Sequence, residues 1–149
     1  MSLIRDVLEV EEGWRDKPYL CSEGYPTVGY GFKIGPKGVD IRNYQFTLPR
    51  SAGDRWLDDL IQMLRFELHS RLSGLNEARQ AVILSMCYQM GINGCMAFSR
   101  MWAAIDQRDY QAAAVEMMDS RWAKQTQSRA RRHRDVMSSG TVEGIYHFG

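Results

Sequence analysis

Apolar residues recur at helical spacing from the third position. Leu3, Ile4, Val7, Leu8 and Val10 gather on one face and predict a helix over 3–12. Ser2 is its expected N-cap and Gly13 its stop. Glu11 and Glu12 then fall in the last turn, where the negative end of the helix macrodipole disfavours carboxylates. Either both are exposed, or a cation from elsewhere in the chain offsets that cost.

The period changes over residues 14–46, which are rich in glycine, proline and aromatics. Turn signals stand at Glu23-Gly24-Tyr25-Pro26 and Gly35-Pro36-Lys37-Gly38. Between them the alternation predicts a strand over Thr27–Ile34, with Thr27, Gly29 and Gly31 on one face and Val28, Tyr30 and Phe32 on the other. A small antiparallel sheet of two or three strands follows, one face apolar and buried. The glycines on the other face leave room for something to lie close to the backbone.

From Thr47 the pattern is helical again. Thr47 is the expected cap of a long helix with Pro49 in its first turn and a stripe at Trp56, Leu57, Leu60, Ile61, Leu64 and Leu68. Gly74 breaks it. Residues 76–90 are apolar almost all round, the mark of a central helix enclosed by others, with Gly91 and Gly94 ending it. Shorter helices are predicted near 96–106, 109–119 and 129–137, with Asp109 and Ser128 as caps. The expected architecture is α+β and mostly α, a single domain over 1–149. A small β-containing lobe over about 13–56 is inserted after helix one. The helical lobe takes 1–12 and about 57–149.

Composition adds little until it is localised. The net charge is +1, yet residues 121–134 hold six Lys/Arg and no acid, while the first twelve hold Asp6, Glu9, Glu11 and Glu12 against Arg5. The basic run Arg129, Arg131, Arg132, His133, Arg134 is either a solvated helix face or an attractor for an anionic polymer. Aromatics are not interleaved with it, which argues against nucleic acid. Cys21, Cys87 and Cys95 are an odd number without metal-site spacing, so reduced thiols in a cytoplasmic product are expected. The N-terminal residues carry charges and form neither a signal core nor a membrane span.

His69, His133 and His147 make no ligand pair, and phosphate-loop, zinc-binding and serine-nucleophile motifs are missing. Gly29 and Gly31 lack the third glycine of a dinucleotide fingerprint. Neither metal nor cofactor is expected. The chemistry left is carboxyl and thiol chemistry. A partly desolvated carboxyl at Glu11 or Glu12 would have its pKa raised and donate a proton, though spacing alone does not choose between them. Cys21 and Thr27 are either a buried thiol and a strand hydroxyl, or groups that orient a water across a cleft.

Glu12-Gly13, Tyr19 and Ser22 through Gly31 together resemble the active-site signature of the T-even phage lysozymes. Two further stretches match in order and spacing: Tyr88-Gln89-Met90-Gly91 with Phe98, and Ser120 through Thr126 followed by Arg129-Ala130. The resemblance covers residues 3–34 and roughly 76–140. It implies a two-lobe lysozyme-like fold joined by a long helix, and a monomeric muramidase acting on the β-1,4 bond of Gram-negative peptidoglycan. It also implies that the protein waits in the host cytoplasm until a holin releases it to the wall, with no membrane insertion and no nucleic acid partner. By position Glu12 would be the general acid, and Thr27 would place the attacking water, with Gly29 and Gly31 flooring the sugar site. Arg129 would be the cation beside the helix-one carboxylates, and Tyr88, Gln89, Trp122 and Gln125 would line or support the cleft. Two positions depart from the family. Cys21 stands where an aspartate is usual, so the water's base would be a thiol of ordinary pKa ~8.5, mostly neutral at pH 7. Phe32 replaces a histidine, removing an ion pair that supports the sheet. A lytic transglycosylase of similar fold and a wall-binding or tail component without catalysis are the alternatives.

Overall fold

A computed structural model describes residues 2–149. Helix α1, Leu3–Glu12, buries Ile4, Val7 and Leu8, and Gly13 ends it by returning its N–H to the Glu9 carbonyl at 3.1 Å. Ser2 occupies the N-cap position without a side-chain capping bond. Three antiparallel strands follow in the order β1-β2-β3: Arg15–Leu20, Pro26–Gly29 and Phe32–Lys33. Tyr19 pairs with Thr27, Thr27 with Lys33 and Val28 with Phe32, and β1 bulges between Arg15 and Tyr19.

The strand expected over Thr27–Ile34 is therefore two strands. A turn at Tyr30-Gly31 folds β3 back onto β2, and the positive φ of Gly29 (69°) and Gly31 (73°) makes that reversal possible. Thr27, Gly29 and Gly31 do not share one face of a strand. Gly29 is not open to a ligand either: a Cβ there would lie 2.6 Å from the Phe32 ring, so the missing side chain accommodates that aromatic. Gly31 instead faces the Glu12 carboxylate.

A 3-10 turn at Ile41–Asn43 leads to α2, Arg50–Glu67, whose N-cap position is Pro49. Thr47 is exposed and two residues too early to cap, because a proline pushes the residue before it into extended backbone. Helix α2 carries two stripes. Leu57 and Ile61 are buried in the core, while Trp56, Leu60, Met63 and Leu64 face a cleft. Tyr30 ties the sheet to this helix: its hydroxyl donates to Asp54 at 2.7 Å and accepts from Arg50 Nε at 2.7 Å.

After the short α3, His69–Leu72, helix α4, Glu77–Met90, runs through the centre. Ala81 through Cys87 are all buried, as the unbroken apolar run predicts. Asn76 caps it by accepting from Arg79 N at 2.9 Å. Gly91 stops it, and Gly94 lies inside the next short helix, α5, Ile92–Met96. Helices α6, Ser99–Asp106, and α7, Tyr110–Met118, follow, with Asp109 accepting from Ala112 N at 3.1 Å. Helix α8, Arg121–Gln125, is too short for periodicity to reveal; Ser120 caps it. Helix α9, Gln127–Ser139, has Thr126 at its N-cap position and Ser128 in its first turn, so Ser128 is not the cap. Among the described residues no helix is long and apolar enough to cross a membrane.

Gly31 offers a test of how tightly the sheet closes on α1. Gly31→Ala should lose about 2–3 kcal/mol in urea unfolding, from positive-φ strain plus displacement of Glu12. Gly38→Ala, also at positive φ but with nothing within 4 Å, should lose only about 1 kcal/mol. Equal losses would mean that the contact with Glu12 carries no weight.

Candidate active site

A cleft of about 640 Å³ opens between the sheet, α2 and α4. Glu12, Cys21, Thr27 and Gly31 line one end of it, Tyr88 and Gln89 come from α4, and Phe32 with Trp56 forms an aromatic side. The Phe32 and Trp56 rings stack with centroids 4.2 Å apart. Phe32 thus props the sheet against α2 by aromatic contact instead of charge.

Glu12 projects into this cleft from the last turn of α1. Arg129 Nη1 donates to its Oε2 at 2.6 Å, and the two side chains are 10% and 16% exposed. A bond this short between nearly buried ions is of the strong, charge-assisted kind. The other terminal nitrogen, Nη2, donates to Ser85 Oγ at 2.9 Å and to the Ser85 carbonyl at 3.2 Å, which fixes the guanidinium against α4.

Glu11 points the other way, into the protein. Arg132 grips its carboxylate with two bonds of 2.9 and 2.6 Å, and the Tyr146 hydroxyl donates to the same group. Burial pushes this carboxyl up, but those bonds and the charges of Arg129 and Arg132 outweigh burial and hold it below its ordinary value. Glu11 is therefore an ionised structural anchor, and Glu12 is the carboxylate that meets the cleft. The cation needed at the negative end of α1 is supplied twice, once for each glutamate.

Cys21 sits where the chain turns from β1 to β2, its N–H bonded to the Tyr25 carbonyl at 2.9 Å. Burial raises its thiol, yet the backbone N–H groups of Tyr25 and Glu23, the Thr27 hydroxyl and the Lys33 charge together bring it below its ordinary value. A cradle of backbone donors acts on a thiol in this direction, because it stabilises negative charge on sulfur. Thr27 is buried beside it, with its hydroxyl 2.9 Å from the Tyr25 carbonyl. A hydroxyl has one hydrogen, so it serves either that carbonyl or an anion on Cys21.

Tyr88 donates to the Tyr30 carbonyl at 2.6 Å, locking the turn of the sheet to α4. Burial, then the Glu12 charge, raises its phenol above the ordinary value, so it stays a neutral donor. Gln89 accepts from Trp122 Nε1 at 2.8 Å, so Trp122 stands behind the wall and orients the amide. Gln125 is exposed and lies outside the cleft wall; it is the last residue of α8 and is turned to solvent. Gly29, buried under Phe32, is not part of the wall either.

Sequence reasoning missed two groups. The cleft stripe of α2 was read as core, because Trp56, Leu60 and Leu64 have the spacing of any buried face. Ser85, His133 and Tyr146 lie in no motif; only His133 stood out, as a lone histidine. His133 is fully buried, with Nε2 2.7 Å from Ser85 Oγ and Nδ1 3.0 Å from the Tyr146 oxygen. Burial first, then the Arg129 and Arg132 charges, keep its imidazole well below its ordinary value, and so neutral.

A family model described as phage lysozyme matches residues 9–135. Probable T4-type lysozyme 1 of Dictyostelium discoideum is 28% identical over 95% of this chain and 97% of its own length. Probable T4-type lysozyme 2 of the same organism is 24% identical over 96% and 98%. The pre-baseplate central spike protein Gp5 of Enterobacteria phage T4 is 29% identical over 93% of this chain, which spans 28% of that protein's length.

The neutral His133 makes stability depend on pH. Its folded-state pKa is depressed below the ordinary 6.5, so on acidification the unfolded chain takes up this proton first. Stability should be fully present above pH 6.5 and fall below it, by about 1 kcal/mol per pH unit, until the folded value is reached. Urea unfolding from pH 7 to 5 should show this slope, and His133→Asn should remove its His133 share. An unchanged slope in the variant would show that His133 takes up its proton alike in the folded and unfolded chain.

Proposed function

We propose that this chain, which belongs to the phage lysozyme family, is a muramidase that cleaves the β-1,4 bond between N-acetylmuramic acid and N-acetylglucosamine. The family and its T4-type relatives support a lysozyme-like glycosidase with peptidoglycan as substrate. One observation carries the assignment of roles: Glu12 lines the same cleft as Cys21, whose thiol is brought below its ordinary value, and the buried Thr27 hydroxyl.

In this reading Glu12 protonates the leaving glycosidic oxygen, and Arg129 holds the carboxylate that remains. Water attacks the muramic acid C1 while the Cys21 thiolate takes its proton and Thr27 orients it. The proton on Cys21 and the one lost by Glu12 are then exchanged with solvent. A thiolate replaces the second carboxylate of the usual two-carboxylate scheme. Phe32 and Trp56 offer an apolar face on which a pyranose ring packs. The protein acts as a monomer on Gram-negative walls, is held in the host cytoplasm until a holin opens the membrane, and serves host lysis.

The second reading is a lytic transglycosylase, and a thiol at residue 21, where the family usually has an aspartate, favours it. One acid suffices there, because the muramic 6-hydroxyl replaces water as nucleophile.

Turbidity loss on permeabilised Gram-negative cells tests activity, and mass spectrometry of released fragments separates reducing ends from anhydro-muramic ends. Glu12→Gln should lose 10²–10⁴-fold, on the order of a general acid's contribution; full activity would remove Glu12 from the chemistry. Cys21 should titrate in the acid limb of the pH–rate profile: as pH falls, the thiolate takes a proton and the rate drops. Cys21→Asp should move that limb to lower pH, toward the ordinary carboxyl value of ~4. Cys21→Ala should lose the limb and most of the rate. Wild-type rates in the alanine variant would leave the thiol without a chemical role.

A further inference from the structure

Behind the cleft, four side chains form one continuous path between the two glutamates of α1, namely Arg129, Ser85, His133 and Tyr146, and Arg132 grips Glu11 at its far end. Its hydrogens can be placed by elimination. Glu11 is ionised, with two Arg132 donors, so the hydrogen between it and Tyr146 is the tyrosine's. A phenol has only one hydrogen. The 3.0 Å contact between Tyr146 and His133 must therefore be donated by Nδ1. His133 is neutral, buried among Arg129, Arg132, Tyr146 and Glu11, whose Oε2 lies 3.9 Å from Nδ1. With its one hydrogen on Nδ1, its Nε2 can only accept. The 2.7 Å contact with Ser85 is then a bond donated by the serine hydroxyl. That spends the only hydrogen of Ser85 and leaves its oxygen to accept from Arg129 Nη2 at 2.9 Å. The other arm of the same guanidinium donates to Glu12 at 2.6 Å.

Each bond in this path thus has one permitted direction. We infer that His133, as the tautomer protonated at Nδ1, is a positioning residue that acts through Ser85 and Arg129 to hold the Glu12 carboxylate. The inference rests on the reading of Glu12 as the acid for its catalytic consequence, but the geometry of the path stands without it. Arg129 needs such support, because its Nε is buried without a hydrogen-bond partner and two bonds to Ser85 are its hold on α4. If the serine hydroxyl lost its acceptor on His133, it would be free to rotate, and the oxygen facing Nη2 would no longer be fixed.

The decisive measurement is made on the wild-type protein. Long-range ¹H–¹⁵N correlation of the imidazole should show a neutral ring with hydrogen on Nδ1. Hydrogen on Nε2, or a protonated ring at pH 7, would overturn the inference whether or not the protein is active. Next, His133→Gln retains a carbonyl acceptor near the Nε2 position, and His133→Leu does not. The leucine variant should lose roughly tenfold or more in kcat at nearly unchanged KM, a misplacement effect, and glutamine should restore much of it. Arg129 guanidinium resonances, held distinct by restricted rotation in the wild type and in the glutamine variant, should average in the leucine variant. Wild-type kcat and distinct Arg129 resonances in a folded leucine variant would overturn the role of His133. If leucine prevents folding, Ser85→Ala must give the same averaging, and failure to do so overturns it equally. Inactive wild-type protein with the Nδ1 tautomer and the Arg129 averaging intact would sink the muramidase reading and leave the positioning path standing.

Discussion

The ion pair between Glu12 and Arg129 is the interaction on which this molecule turns. It joins the end of α1 to the start of α9 against the central helix α4, and a carboxylate there would otherwise be disfavoured twice. The helix-end field alone costs about 0.3–1 kcal/mol, and removing the partner of a buried pair costs about 3–5 kcal/mol. Desolvation is the larger effect, so the arginine matters more as a counter-ion than as a correction for the dipole. The pair also leaves one face of the carboxylate open to the cleft. The same contact therefore closes the core and presents the reactive group.

The adjacent glutamates show how one residue of displacement along a helix changes a role. Glu11 is turned into the protein, gripped by Arg132 and Tyr146, and kept ionised. Glu12 is turned about 100° further, reaches the cleft, and touches Arg129 with one oxygen. Identical chemistry gives an anchor and a candidate acid because their neighbours differ. On the opposite wall, the turn between β1 and β2 places backbone donors beside Cys21 that bring its thiol below its ordinary value.

Much of this was legible in sequence because strong periodicity and strong motifs coincide. The α1 stripe, the enclosed α4 and the Asp109 cap follow from side-chain spacing and capping chemistry alone. The single strand over 27–34 did not survive, because alternation cannot see a two-residue reversal when glycines fit either conformation. Thr47 and Ser128 looked like caps by composition, but proline geometry and the docking of α8 moved the helix starts. In the site, the motif residues Glu12, Cys21, Thr27, Tyr88 and Gln89 meet at one cleft, while Gln125 does not. The supporting residues were invisible for a plain reason: a hydrogen-bonded path through Ser85, His133 and Tyr146 crosses three segments and has no local signature.

Those separations in the chain have a consequence for the order of synthesis. Glu12 is 117 residues from Arg129, and Glu11 is 135 residues from Tyr146. Both acids leave the ribosome more than a hundred residues before the groups that bind them. A growing chain on the ribosome has the carboxylates, the turn with its thiol and most of the cleft wall before the arginine that steadies them exists. The apparatus is assembled only when α9 and the segment after it fold back onto the first helix, so synthesis of that late segment is itself the step that arms it.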